Sequence, residues 1–407
     1  MTEPRPAPDA PERFERSFTR QEPLPEAAIE RAVALLRTGR LHRYDVPDGG
    51  GPSETSLLER EFAAYQGQRY CLACASGGAA MRIALRALGI GRGDAVATNA
   101  FTLSPVPGAI ATVGAVPVLV ETTPELVIDL GHLERVLETS GARALLLSHM
   151  RGHVADMDAL TRIVEARGAT LIEDCAHTMG ASFAGARSGT HGAVGCFSTQ
   201  TYKHLNSGEG GLLTTDDPDV AARAILLSGS YMLYERHGAA PGPDAFERHR
   251  LDVPNASARM DELRAAILRP QLERLDDNAR RWNERHAAMA AVLREHPMVR
   301  LPEPHPDAFE VRSSLQFLVE GLDDAGNEAF LAACAARGVT LKWFGRAEPV
   351  GYTSRHESWR YVPATPLPGT DAVLRRLYDV RLPLTFSVED CRAVGAIATG
   401  SLDRGLR

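Results

Sequence analysis

From about residue 55 to 235 short apolar runs alternate with helix-like stretches, and this alternation restricts the possible folds more than any other feature. The runs are YCLACAS (70–76), DAVATNAF (94–101), VPVLVE (116–121), ALLLSHM (144–150), TLIEDCA (170–176), AVGCFST (193–199) and GGLLTTD (210–216). Several are apolar on both faces, as strands of a parallel sheet covered by helices must be. Between them lie amphipathic segments such as AAMRIALRALGI (79–90) and DMDALTRIVEARG (156–168). Strand–helix alternation of this kind implies an α/β layered domain with a mostly parallel sheet.

Near residue 257 the pattern changes to a long amphipathic stretch, SARMDELRAAILRPQLERLDDNARRWNERHAAMAAVLRE, which Pro270 should kink or split. Residues 297–407 mix shorter apolar runs with helical patterns, as a smaller α+β domain would. The expected organisation is a flexible Pro-rich arm (1–23), a large domain (24–256), and the long helix with a small C-terminal domain (257–407). A net charge of −7 argues against nucleic-acid binding. No apolar stretch approaches the roughly 20 residues of a membrane span, and the N-terminus lacks the apolar core of a secretory signal. The six cysteines, Cys71, Cys74, Cys175, Cys196, Cys334 and Cys391, sit in mostly apolar context, the usage of a reduced, cytoplasmic protein. Cys71 and Cys74 form a lone C-x-x-C with no second ligand pair, so a buried strand is expected there and no metal site.

Ligands of an open parallel sheet gather beyond the carboxyl ends of its strands, and three polar segments fall there. At Ser76-Gly77-Gly78-Ala79-Ala80 a strand breaks into a glycine turn and a helix begins, leaving bare N–H groups and a positive helix end suited to an anion. Steric need alone also produces such turns. Glu173-Asp174-Cys175-Ala176-His177 ends a buried run in two acids that require partners. Asp174 could face a protonated pyridine nitrogen, cap a helix or pair with an arginine. Third, CFSTQTYK (196–203) runs into a glycine-rich turn. Lysine is scarce, Lys203 and Lys342 being the only two among 45 Lys and Arg residues. A lysine kept where arginine is the habitual cation suggests amine chemistry, and desolvation would make that amine competent for Schiff-base exchange.

In this order and spacing the segments resemble the DegT-type family of sugar aminotransferases, which use pyridoxal 5′-phosphate (PLP) on a fold type I scaffold. The resemblance runs from about residue 24 to the C-terminus and is densest over 70–211. It includes LEREF (58–62), GRGD (91–94), His149 and Gly152, EDCAH (173–177), CFSTQTYK, GEGG (208–211) and NASARMDEL (255–263). It implies that Lys203 binds PLP as a Schiff base and then shuttles a proton, that Asp174 meets the pyridine nitrogen, and that His177 sits near the 3′ oxygen. It further implies Ala176 against the ring, and Gly77, Gly78, Ala79 and Ser198 around the phosphate. Asn255 would reach in from a second subunit, giving a homodimer with shared sites. The implied reaction passes an amino group from a small amino-acid donor to a keto acceptor, by family habit a keto sugar or cyclitol.

The chain also departs from the pattern. Gly78 replaces the usual threonine, and Leu103 stands where an aromatic normally covers the ring, leaving either Leu103 or a shifted Phe101 to do so. His204 follows the lysine in place of asparagine, and LKWFGR (341–346) replaces a His/Tyr-rich substrate segment. Lys342, Trp343 and Arg346 are thereby candidates for holding an anionic acceptor. The alternatives are another PLP reaction on an amino-acid-like substrate (decarboxylation, racemisation or elimination), or a regulatory relative with a degenerate site.

Overall fold

The computed structural model describes residues 12–46, 51–351 and 355–405. The apolar runs become strands at nearly the expected places: β1 (Tyr70–Cys74), β2 (Ala95–Asn99), β3 (Val116–Val120), β4 (Ala144–Ser148) and β5 (Thr170–Asp174). A short hairpin, β6 (Ser182–Phe183) and β7 (Ala186–Arg187), precedes β8 (Val194–Ser198) and β9 (Gly211–Thr215). The central sheet has seven strands in the order β1-β9-β8-β5-β4-β2-β3. All its pairings are parallel except those of β9 with its two neighbours. β4 and β8 are buried along their whole length, as a sheet covered on both faces requires.

Helices α1 (Glu26–Thr38), α2 (Glu54–Gln66) and α3 (Gly77–Ala87) start the helical layers. Several helices begin where a Ser or Asp side chain accepts a first-turn N–H, among them Ser53, Ser76, Asp129, Asp156 and Asp217. The long amphipathic stretch divides into Glu262–Leu272 and Leu275–Leu293. Pro270 sits inside the first of these, and the break falls just beyond Leu272. A proline removes the helical hydrogen bond to the preceding turn. The first piece packs on α1 and α2, the second on the C-terminal helix Val388–Gly405.

In the small domain, β10 (Val299–Arg300), β12 (Ser314–Val319), β13 (Lys342–Trp343) and β14 (Leu377–Arg381) form an antiparallel sheet in the order β10-β12-β14-β13. β11 (Ala308–Phe309) extends the β6–β7 hairpin instead. Helices Asp324–Ala336 and Val388–Gly405 pack against each other over this domain.

The N-terminal arm differs from expectation. Residues 1–11 lie outside the described residues, but 12–23 are docked. Phe14 and Phe18 are buried and meet Phe386 with ring centroids 5.1 and 5.0 Å away. The Phe14 N–H donates to the Arg337 carbonyl at 2.8 Å, and Glu22 pairs with Arg281. Two phenylalanines outweigh the Pro-rich, charged composition that suggested a loose arm. Phe386→Ala should remove the ring both pack on and lower stability by about 3–5 kcal/mol, read as a loss of thermal or denaturant midpoint.

Candidate active site

Three parallel strands end side by side, pairing Asp174 with Ser148 of β4 and with Cys196 of β8. That register brings the polar segments 76–78, 174–177 and 198–203 onto one cavity of about 400 Å³. Gly77, Gly78, Leu103, Asp174, Ala176, His177, Ser198 and Lys203 all line it.

The two neighbouring acids are treated oppositely. Glu173 is wholly buried and accepts from His149 Nε2 at 3.0 Å and from the N–H groups of Gly189, His191 and Gly192. Despite burial, the imidazoles of His149 and His191 hold its carboxyl well below the usual carboxylate range. Asp174 receives only the Ser148 hydroxyl at 3.1 Å and the Ala176 N–H at 3.2 Å. Burial raises its pKa, against the pull of the Lys203 charge. Asp174 thus faces the cavity as a desolvated acid without a hydrogen-bonded cation.

Lys203 follows β8 through a tight turn in which its N–H donates to the Gln200 carbonyl at 2.8 Å. Its Nζ lies 2.8 Å from His177 Nε2. Burial lowers the ammonium pKa to about 7; Asp174 opposes this, while Arg151, Arg381 and Lys342 reinforce it. His177 is pushed well below its ordinary value by burial and then by Lys203, so the ring is neutral beside the amine.

At the opposite wall Ser76 caps α3, its Oγ accepting the Ala79 N–H at 3.0 Å. Ala79 is buried and does not line the cavity, so the free donors are at Gly77 and Gly78, beside the Ser198 hydroxyl. The two glycines differ. A Cβ on Gly77 would stand 2.8 Å from Ser198 Cβ, whereas one on Gly78 would meet nothing nearer than Ser76 Oγ at 3.8 Å. Phe101 is locked in the core, edge-on to Phe344 at 5.2 Å, and Leu103 alone of the pair faces the cavity.

Other sequence candidates lie elsewhere. Asn255 occupies an exposed loop where its Oδ1 accepts the Ser257 N–H, off this chain's cavity. Trp343 is buried with its indole donating to the Arg375 carbonyl at 2.7 Å, and Arg346 is paired with Glu328. Both serve small-domain packing and do not line the cavity. Lys342 pairs with Asp379 at 3.1 Å, one residue pair removed from the cavity wall. Residues missed in the sequence include Ser148, Arg151, Tyr202 and Arg381. Arg151 was legible only as a residue of the SHMRGH run, and it has a left-handed backbone with φ 59°.

The pKa sign gives one test. An amine titrating near 7 is mostly unprotonated above that pH, so borohydride trapping of an aldehyde on Lys203 should rise through about pH 7 and plateau by pH 8–9. A rise only near the ordinary lysine range would contradict the buried environment. The glycines give another. Gly77→Ala should cost about 1–3 kcal/mol through overpacking against Ser198, while Gly78→Ala should leave the unfolding midpoint nearly unchanged.

Known proteins resemble the chain over much of its length. The chain is 40% identical over 229 residues to the L-glutamine:scyllo-inosose aminotransferase of Streptomyces griseus, covering 55% of this chain and 54% of that protein. It is 33% identical over 356 residues to the dTDP-3-amino-3,4,6-trideoxy-alpha-D-glucose transaminase of Streptomyces venezuelae, covering 84% and 88%. Among solved structures, 3-amino-5-hydroxybenzoic acid synthase superposes with a TM-score of 0.81 at 25% identity, over 95% of this chain and 99% of that one. Matches to several curated relatives span only about half to two thirds of the relative's length, for example 66%, 64% and 54%. The profile of the DegT/DnrJ/EryC1/StrS aminotransferase family matches residues 47–397, and the chain belongs to that family.

Proposed function

We propose that this protein is a PLP-dependent aminotransferase that takes an amino group from glutamine or glutamate and delivers it to a keto sugar or cyclitol. The observation that carries the reading is the Lys203 amine, half-buried, its pKa lowered to about 7, and 2.8 Å from a neutral His177, in one cavity with Asp174 and an anion seat at α3. The residues fit the cofactor. The first-turn N–H groups of α3 and the Ser198 hydroxyl suit a phosphate, and Asp174 lacks the cation that a protonated pyridine nitrogen would supply. Leu103 and Ala176 offer apolar surface for a ring.

Bound PLP supplies an electron sink that makes a proton on the amine-bearing carbon labile. Lys203 Nζ is then the base that takes this proton and returns it, since near pH 7 it exchanges between its two forms at little cost. His177 Nε2, neutral and at hydrogen-bond distance, orients that amine. Asp174, anchored by Ser148, would be the carboxylate that balances a positive charge on the ring nitrogen. Family membership and the names of relatives that act on cyclitols and a nucleotide-linked sugar support the substrate class.

A homodimer belongs to the same reading. Asn255 lies off its own chain's cavity, which suits a role in a second copy's site. Ile29, Val33 and Leu36 of α1, with Tyr231, Met232 and Leu251, leave apolar surface exposed for a partner.

The purified protein should show the visible absorbance of lysine-linked PLP, and Lys203→Ala should abolish it. Excess glutamine or glutamate should bleach that band. Bleaching by none of glutamine, glutamate and alanine would refute amino transfer from these donors.

A further inference from the structure

Five residues are common to the walls of two adjoining cavities: Arg151, His177, Tyr202, Lys203 and Arg381. Two guanidinium groups therefore flank the reactive amine. They are in different situations. Arg151 Nη2 is held by Asp379 Oδ2 at 2.9 Å, and the same carboxylate takes Lys342 Nζ at 3.1 Å and Gln316 Nε2 at 2.7 Å. Asp379 is thus committed on both oxygens.

Arg381 lies two residues further along β14, on the same face as Asp379, yet its guanidinium makes no ion pair or hydrogen bond among the described residues. Its guanidinium carbon stands over the Tyr202 ring, 3.9 Å from the ring centroid. Tyr202 adjoins Lys203 in the chain, so the stack sets the guanidinium plane relative to the amine. Four cations, Arg151, Lys203, Lys342 and Arg381, gather here around two buried carboxylates, Asp174 and Asp379, in a chain whose net charge is −7. Glu209, on the wall of the larger cavity, is solvent-exposed and makes no ion pair with Arg381. The cofactor's phosphate does not account for the excess, because its proposed seat is on the α3 side.

We propose that Arg381, with Arg151 beside it, is a carboxylate seat that orients the substrate at Lys203. A planar carboxylate matches the two parallel N–H donors of a guanidinium, which a lone ammonium cannot offer. The carboxylate is that of the amino-acid donor or an acid group on the acceptor, and the test separates these. The inference rests on the aminotransferase reading, whose own failure shows earlier as absence of the lysine-linked absorbance.

In the PLP-loaded protein, glutamine is titrated against the visible band and compared with 2-aminopropane, an amine lacking the carboxylate. Arg381→Met should lower the preference for glutamine over 2-aminopropane by about 10- to 100-fold, and Arg381→Lys should restore only part. Isobutyrate, which carries no reacting group, should bind the unmodified protein by ligand-observed NMR and lose that binding in Arg381→Met. If donor preference holds while turnover with the acceptor falls, the carboxylate is the acceptor's. If Arg381→Met melts lower with donor preference, acceptor turnover and isobutyrate binding unchanged, the arginine is a packing cation and the proposal fails. Arg381→Gln, retaining polarity and much of the stacking surface, repeats the measurement should the methionine variant fold poorly.

Discussion

Burying a charge without its full complement of partners is expensive, and this fold does so at Asp174 and Lys203. The contrast with Glu173, one residue away, shows that the incomplete pairing is local. Glu173 collects a histidine and three backbone N–H groups inside the sheet–hairpin junction. Asp174, pointing to the opposite side of the same strand, is left with a hydroxyl and one N–H. The surrounding structure holds this arrangement in place. Thr102 donates to Ser148 Oγ at 2.7 Å, Ser148 donates in turn to Asp174, and Asn99 ties β2 to the Ser148 backbone. The rigidity of the sheet keeps a desolvated acid and a desolvated amine in one cavity.

The small domain contributes more than a cover. β14 carries Tyr378 and Val380 into its own core and presents Asp379 and Arg381 toward the large domain. The Arg151–Asp379 pair is consequently a bond between domains, made by a residue after β4 and a residue of the small sheet. Both members are nearly inaccessible to solvent, so breaking the pair would strand a buried charge on each side. The charge around Lys203 is therefore fixed by how the domains are joined as well as by the loop that bears it.

Much of this was legible in the sequence. Period and apolarity gave the seven central strands almost to the residue, because strands buried on both faces have no other way to be written. The glycine turn and Asp174 were recognisable because each stands at a strand end, Lys203 because lysine is scarce in the chain, and His177 only through the resemblance. What was not legible depended on pairings distant in sequence. Arg381 and Arg151 are 230 positions apart, and neither has a local pattern that betrays the cavity between them. Trp343 and Arg346 misled for the complementary reason: a cation beside an aromatic looks like a binding motif, but its partners, Arg375 and Glu328, belong to the same domain. The N-terminal arm misled because composition averages over a segment, whereas two rings suffice to dock it.

That docked arm has a mechanical consequence. It begins against Phe386 in the small domain, passes Glu22 and Arg281, and continues through Pro25 into α1, which packs on helix Glu262–Leu272 beside the large domain. Gln21 to Pro25 also line the smaller of the two cavities at Lys203. The arm is thus a leash with both ends fastened. The wall that Gln21 to Pro25 give the cavity at Lys203 is therefore held from both sides, by Phe14 and Phe18 on Phe386 and by α1 on helix Glu262–Leu272.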